Sequence, residues 1–248
     1  MLYIVATPIG NLEDISLRAL RILGEVDFVL CEDTRVTRRL LEHYKIKTPT
    51  ISFHQHSDLK KTNEIIRYLR EGKNLALVSD AGTPAISDPG GKLVQAVLDN
   101  FGDDVKIESV PGPSAVTAAL SISGIPTDKF VFMGFPPHKK GRQTFIRKVL
   151  ESEFPVVVYE SKHRIIKFLE ELEKIADNRK QIAGEEETSS SPIPNSKFPI
   201  PEITSVVVCR ELSKMHETVY RGELPKIIDQ IKNNQDDQKG EFVVIVGK

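Results

Sequence analysis

Polar and turn-forming residues follow a series of short apolar runs along this chain, and their types suit proton transfer, ion pairing and main-chain ligand contact. Behind Val26–Cys31 stands Glu32-Asp33-Thr34-Arg35, where a carboxylate can accept a proton and a guanidinium can grip an anion. Asn74–Ser79 runs into Asp80-Ala-Gly-Thr-Pro84, and Val105–Val110 into Pro111-Gly-Pro-Ser114; both are tight turns whose glycines let backbone approach a ligand closely. Later, Val156–Tyr159 is followed by Glu160-Ser-Lys-His-Arg164, and Val206–Cys209 by Arg210-Glu-Leu-Ser-Lys214. The first run ends in Thr7-Pro-Ile-Gly-Asn11 and the third in His54-Gln-His56. Turns and helix caps are polar for structural reasons alone, so a single such cluster says little. Seven together favour a shared site.

Convergence of these ends requires the runs to be strands of open α/β sheets, which bind ligands beyond the carboxyl ends of their strands. The rest of the chain supplies that frame, because β-branched apolar runs alternate with amphipathic stretches throughout. Strands are predicted at Leu2–Ala6, Val26–Cys31, Thr50–Phe53, Asn74–Ser79 and Val105–Val110, with helices at Ser16–Leu23, Thr34–Tyr44, Leu59–Glu71, Gly91–Asn100 and Ser114–Ser121. The second half continues with strands at Phe130–Gly134, Pro155–Tyr159, Ser205–Arg210, Thr218–Gly222 and Glu241–Val246, and helices at Gln143–Ser152, Arg164–Ala176 and Leu224–Asn233. The sheets are expected to be largely parallel. A boundary near Pro126-Thr127 gives α/β domains at 1–125 and 126–248. Within the second, 185–203 is acidic, then serine-rich, then proline-rich, a composition that builds no packed core and reads as a flexible insertion.

Composition bounds the possibilities. At 248 residues and 40% hydrophobic content the chain can bury a real core, and no apolar run nears the roughly 20 residues needed to span a bilayer. The cytoplasm is the expected compartment. Two cysteines, Cys31 and Cys209, are far apart in sequence and resemble neither a disulfide framework nor a metal site; no metal is expected. A net charge of −1 argues against a generic polyanion binder but leaves room for a local basic patch. After the first strand only Gly10 is present, where a dinucleotide or common methyltransferase fingerprint would place three glycines, so a plain Rossmann cofactor site is not expected.

Read together, Leu2–Ile15, Glu32–Arg35, Leu77–Gly90, Val110–Ala115, Ser123–Pro126, Gly134–Pro136, Tyr159–Arg164, Arg210–Lys214 and Lys239–Glu241 resemble the tetrapyrrole-methylase superfamily, and within it the ribosomal RNA 2′-O-methyltransferase branch. The segments cover nearly the whole chain in order; the Gly-Thr-Pro and Pro-Gly-Pro turns alone would indicate only the superfamily. The resemblance implies two α/β domains with S-adenosylmethionine in the cleft between them, and a homodimer. It implies donor contacts at Pro8, Gly10, Asp80, Gly82, Thr83, Pro111, Gly112, Ser114, Tyr159 and Gly247. The implied acceptor is the ribose 2′-hydroxyl of a cytidine in small-subunit ribosomal RNA, free or in the assembled 30S subunit. The 185–203 stretch departs from the pattern, and the chain stops soon after Gly247 where some relatives continue.

Methyl transfer from a sulfonium is an in-line displacement that depends on positioning, aided by a base or cation at the acceptor oxygen. Lys162 and Glu211 are the favoured candidates for that role, with Glu32 and Asp33 as the further ones. Arg35, Glu160, Arg164, Arg210 and Lys214 are candidate substrate contacts, with structural ion pairs as the alternative for the arginines. Lys139, Lys140 and Arg142, with Arg147 and Lys148 beyond, form a basic segment suited to phosphates, or simply a solvated face. Two rivals remain: a C-methyltransferase of a tetrapyrrole or cobalamin precursor, and a donor-sensing RNA-binding module without chemistry.

Overall fold

The computed structural model describes residues 1–54, 59–187 (for 178–187 the backbone alone) and 205–247. It divides into two compact units, Met1–Ala115 and Val116–Lys248. The division falls upstream of the expected Pro126-Thr127 boundary. His54 is described, but Gln55 and His56 lie outside the described residues, as does the expected insertion from residue 188 to 203.

The first unit alternates strands and helices: β1 (Leu2–Val5), α1 (Leu17–Glu25), β2 (Phe28–Cys31), α2 (Thr34–His43), β3 (Thr50–Ser52), α3 (Leu59–Arg70), β4 (Leu75–Leu77), α4 (Gly90–Phe101) and β5 (Ile107–Val110). All strand pairs are parallel, in the order β3-β2-β4-β1-β5, with Leu2 level with Leu75 and Ile107. Both faces are covered, which is why the strands read as nearly unbroken apolar runs. Val5, Val29, Ala76 and Val110 pack under α1 and α2 through Ala19, Ile22, Leu23 and Leu41. Leu2, Ile4, Leu30, Leu75 and Leu77 pack on the other face under α3 and α4. Side-chain oxygens start the helices: Ser16 accepts from the Ala19 amide at 3.0 Å, and Asp33 from the Arg35 amide at 2.8 Å. The connection after β1 leaves toward β2 over one face, while that after β4 leaves toward β5 over the other. Adjacent β1 and β4 are therefore the topological switch point, where open α/β sheets form ligand sites.

The second unit holds α5 (Ala115–Ser123), β6 (Val131–Phe132), α6 (Arg142–Glu151), β7 (Val156–Ser161), α7 (Ile165–Glu187), β8 (Val206–Arg210), β9 (Thr218–Gly222), α8 (Leu224–Asn233) and β10 (Glu241–Val246). Its sheet order is β6-β7-β10-β8-β9, and only β6–β7 is parallel. The expectation of a largely parallel sheet is corrected here. The connection 211–217 between β8 and β9 is too short for a crossover, and β10 enters between β7 and β8 in the opposite sense. Val156, Val158, Val206, Val208, Phe242 and Val244 alternate onto one core with α6, α7 and α8. α7 runs past the expected end at Ala176 to Glu187, so the acidic start of the supposed insertion, Glu185–Glu187, is helical. Among the described residues no helix is long and apolar enough to cross a membrane.

Candidate functional site

At the switch point the ends of β1, β4 and β5 are tied together through their backbones. The Thr7 amide donates to Gly82 O at 2.9 Å and the Gly82 amide returns a bond to Thr7 O at 3.0 Å. Thr7 Oγ1 also donates to Ser79 O at 3.2 Å, and Thr83 Oγ1 donates to Pro113 O at 3.2 Å. Gly82 has φ +79°, and a Cβ there would lie 3.4 Å from Ile9 Cγ2 and 3.7 Å from Pro113 O. A Cβ on Gly112 would stand 3.0 Å from Ala6 Cβ. These glycines let three turns nest together. Gly10, Asp80, Pro111 and Gly112 are exposed on the nest, with Pro8, Thr83 and Ser114 half-buried in it.

The rest of the Asp80–Gly91 loop is more constrained than its glycines suggest. Positive φ falls on Ala85 (70°) and Ser87 (64°), not on Gly90 or Gly91. Asp88 holds this shape, accepting from the Ala85 amide at 2.8 Å and the Gly90 amide at 2.7 Å, and Gly90 is required because a Cβ would meet Asp88 Oδ1 at 2.9 Å. Non-glycine residues in left-handed backbone cost of order 1–3 kcal/mol each and concentrate at functional sites. Asp88 was not singled out from sequence; the signal available was an Asp preceding Pro-Gly-Gly at a helix start.

Beside this nest, the end of β2 separates its carboxylates. Asp33 caps α2 and is fixed to Arg35, 2.7 Å between Oδ2 and Nη2, while its own amide donates to Asp80 Oδ1 at 3.0 Å. Hydrogen bonds from Arg35 hold the Asp33 carboxyl down to about 2, which makes it a poor proton acceptor. Glu32 is the opposite case. Burial and the charges of Asp80 and Asp88 push it up from the ordinary value. Asp80, Asp88 and Glu32 thus make this end electronegative.

In the second unit the residues after β7 divide by depth. Glu160 is 1% exposed and its carboxylate faces two guanidiniums: Arg164 Nη2 at 2.8 Å and Arg142 Nη1 at 3.5 Å, with the Ser161 amide at 2.7 Å. Arg142 also reaches Glu171 at 2.5 Å. Arg142 was expected among the phosphate contacts and Glu160 among the substrate contacts; both are corrected, because each is buried and ion-paired inside the unit, Arg142 donating through Nε and Nη1 while its buried Nη2 has no hydrogen-bond partner. Arg164, half-buried, pairs with the same carboxylate. Lys139, Lys140, Lys162, Arg147 and Lys148 are exposed. Tyr159 is half-buried, packed edge-on against Phe132, and burial raises its hydroxyl while an amide bond from Val116 works the other way.

After β8, Arg210 is also internal, donating to the carbonyls of Lys239, His216 and Asp236 at 2.8, 2.9 and 2.6 Å, so it braces loops and its expected substrate contact is corrected. Glu211 adopts φ +53° and Ser213 φ +63°. The Glu211 carboxylate accepts from Lys214 Nζ and the Glu241 amide, each at 2.8 Å. Burial works against its charge, but these donors outweigh it and the group stays below its usual value. Lys214 bridges Glu211 and Glu241. A Cβ on Gly247 would lie 2.6 Å from Ser205 Oγ and 3.1 Å from Ser205 O, so a side chain there would have to displace its neighbours. Among the described residues no group of three or more His, Cys, Asp or Glu side chains is gathered to hold a metal.

The profile of the tetrapyrrole (corrin/porphyrin) methylases matches residues 1–228. The chain is 40% identical to a ribosomal RNA small subunit methyltransferase I of Hydrogenobaculum sp., covering 100% of this chain and 95% of that protein. It is 37% identical to the protein of the same description from Thermotoga maritima, covering 99% and 97%. In fold it is similar to a cobalt precorrin-4 methyltransferase (TM-score 0.62, 20% identity, 99% and 94% covered). It is similarly close to a uroporphyrin-III-C-methyltransferase from Thermus thermophilus (TM-score 0.62, 18% identity, 100% and 94% covered).

Proposed function

The chain belongs to the tetrapyrrole (corrin/porphyrin) methylase family and is an S-adenosylmethionine-dependent methyltransferase; we propose that its acceptor is the ribose 2′-hydroxyl of a cytidine in small-subunit ribosomal RNA. The observation that carries this reading is full-length identity of 37% and 40% to proteins described as small-subunit ribosomal RNA methyltransferases. The solved porphyrinoid methyltransferases, at 20% and 18%, share the fold alone. A tetrapyrrole acceptor is therefore the weaker reading.

The residues at the switch point fit the donor. Exposed backbone at Gly10, Pro111 and Gly112, and the close approach allowed by Gly82, suit its amino-acid and nucleoside parts, while Asp80 and its acidic neighbours suit a cation. Pro8, Thr83 and Ser114 complete this set in the first unit, with Tyr159 and Gly247 proposed from the second. When bound, the donor supplies an electrophilic methyl group on a sulfonium. Glu32 is proposed to take the proton from the acceptor hydroxyl, because its raised affinity for protons moves it toward the range where a carboxylate is an effective base. Asp33 and Arg35 shape the start of α2 around it. Glu211 is proposed to hold Lys214, and exposed Lys162, Lys139 and Lys140 to meet RNA phosphates. The proposed setting is the cytoplasm, with the protein as a homodimer.

The test uses small ribosomal subunits that lack the modification. They should accept one labelled methyl group, and the labelled nucleotide should resist alkaline cleavage at its own phosphodiester, since a methylated 2′-oxygen cannot attack the phosphate. Label on a base would refute the ribose acceptor. Methylation of a porphyrinoid alone would replace the RNA reading, and donor binding without any transfer would favour a sensing module.

A further inference from the structure

Phe135 is a large aromatic side chain that the second unit leaves 51% exposed. It is not a stray surface residue, because the fold arranges what lies on either side of it. The Met133 amide donates to Val157 O and the Tyr159 amide to Gly134 O, both at 3.0 Å, extending the β6–β7 pairing past the end of β6. Gly134 then takes φ +64° and turns the chain away. Phe135 comes to rest against Tyr159, ring centroids 5.4 Å apart and planes tilted by 60°, and Tyr159 is backed in turn by Phe132 at 4.9 Å.

The next two residues are held from below by the buried ion cluster. Arg164 Nη1 donates to Pro136 O at 3.0 Å, Arg142 Nη1 donates to Pro137 O at 3.3 Å, and both guanidiniums share Glu160. Two prolines add rigid φ angles. A loop fixed in this way presents an open aromatic face, with exposed Lys139 and Lys140 following it in sequence after Pro136, Pro137 and His138.

We propose that Phe135, backed by Tyr159, is a stacking platform for an unpaired base of the RNA substrate, with Lys139 and Lys140 taking the adjoining phosphates. The inference rests on the RNA reading above and adds the residue that receives a base. An aromatic face on the same loop as exposed cations matches a single-stranded nucleotide, whose base needs a π-surface and whose backbone needs positive charge. The Arg142–Glu160–Arg164 cluster acts through the loop and is a positioning device.

Phe135→Ala is measured on small ribosomal subunits lacking the modification. KM for subunits should rise roughly tenfold, with a smaller change in kcat and an unchanged donor affinity by calorimetry. Phe135→Trp should restore KM and Phe135→Leu should not, since only the former offers a π-face. The chain has no tryptophan, so Phe135→Trp also carries a single reporter whose fluorescence small-subunit ribosomal RNA should quench. An unchanged KM in Phe135→Ala overturns the platform, as does full rescue by Phe135→Leu. Loss of donor affinity would assign the ring to the donor's adenine instead. A wild-type protein that methylates no small subunits removes the RNA reading itself, and the platform with it.

Discussion

Replacing Glu160 by Gln should destabilise the second unit severely, although the two side chains are nearly the same size. Four side chains form the cluster, with Arg142, Glu160, Arg164 and Glu171 only 5%, 0%, 17% and 20% exposed, and their two positive and two negative charges cancel. Glu160→Gln leaves two guanidiniums facing one carboxylate. Breaking a buried pair from one side costs about 3–5 kcal/mol, because a desolvated charge loses its partner. Glu171 still holds Arg142 at 2.5 Å, which places the loss near the lower bound, about 3 kcal/mol. For a unit of this size each kcal/mol moves the melting temperature by about 3–4 °C, so calorimetry should record a drop of roughly 10 °C. Adding Arg164→Met restores neutrality, with Arg142 and Glu171 left as an intact pair, and should recover part of that loss. A single variant melting within about 2 °C of wild type, or a double variant less stable than the single, would refute the claim that uncompensated buried charge sets the cost.

Gly82→Val should weaken S-adenosylmethionine binding at least tenfold by calorimetry, because a left-handed φ of +79° costs a side chain about 1–2 kcal/mol before any crowding of Ile9; unchanged affinity would mean that the turn is not at the donor. Glu32 holds its proton more tightly folded than unfolded, so its protonation favours the folded state at low pH, and that contribution is lost as pH rises through its raised value. As the base it works only above that value: the acid limb of kcat/KM should lie above the ordinary glutamate range, and Glu32→Gln should remove the limb and cut kcat by about 10²–10⁴ with donor binding intact. A limb within that range would assign the proton elsewhere. Lys139→Gln and Lys140→Gln should each lower the salt slope of RNA binding by about 0.7, as expected for one phosphate contact on a single strand, and a slope that does not change would return both to the solvated surface.

The sequence by itself determined whatever is local. Alternating apolar runs specified the strands and helices, because a strand buried on both faces, such as Leu2–Val5, can hardly be anything but apolar. Asp33 and Ser16 were legible as helix starts, since capping is satisfied within three residues. The strand-end motifs, read together, also carried the family likeness. Tertiary structure alone decided which polar residues are free to act. Arg142 and Arg210 carry the same charge as Lys162 and Lys139, yet the arginines, like Glu160, are buried in ion pairs and carbonyl bonds while the lysines face solvent. Their partners, Glu171 for Arg142 and the Lys239 carbonyl for Arg210, are distant in sequence, so no local pattern reveals them. The mostly antiparallel second sheet has the same origin, because the run Glu241–Val246 does not state that it will enter between β7 and β8. Phe135 lies within the Gly134–Pro136 segment of the family likeness, but only the left-handed turn at Gly134 and the loop fixed beneath it set the ring at the surface.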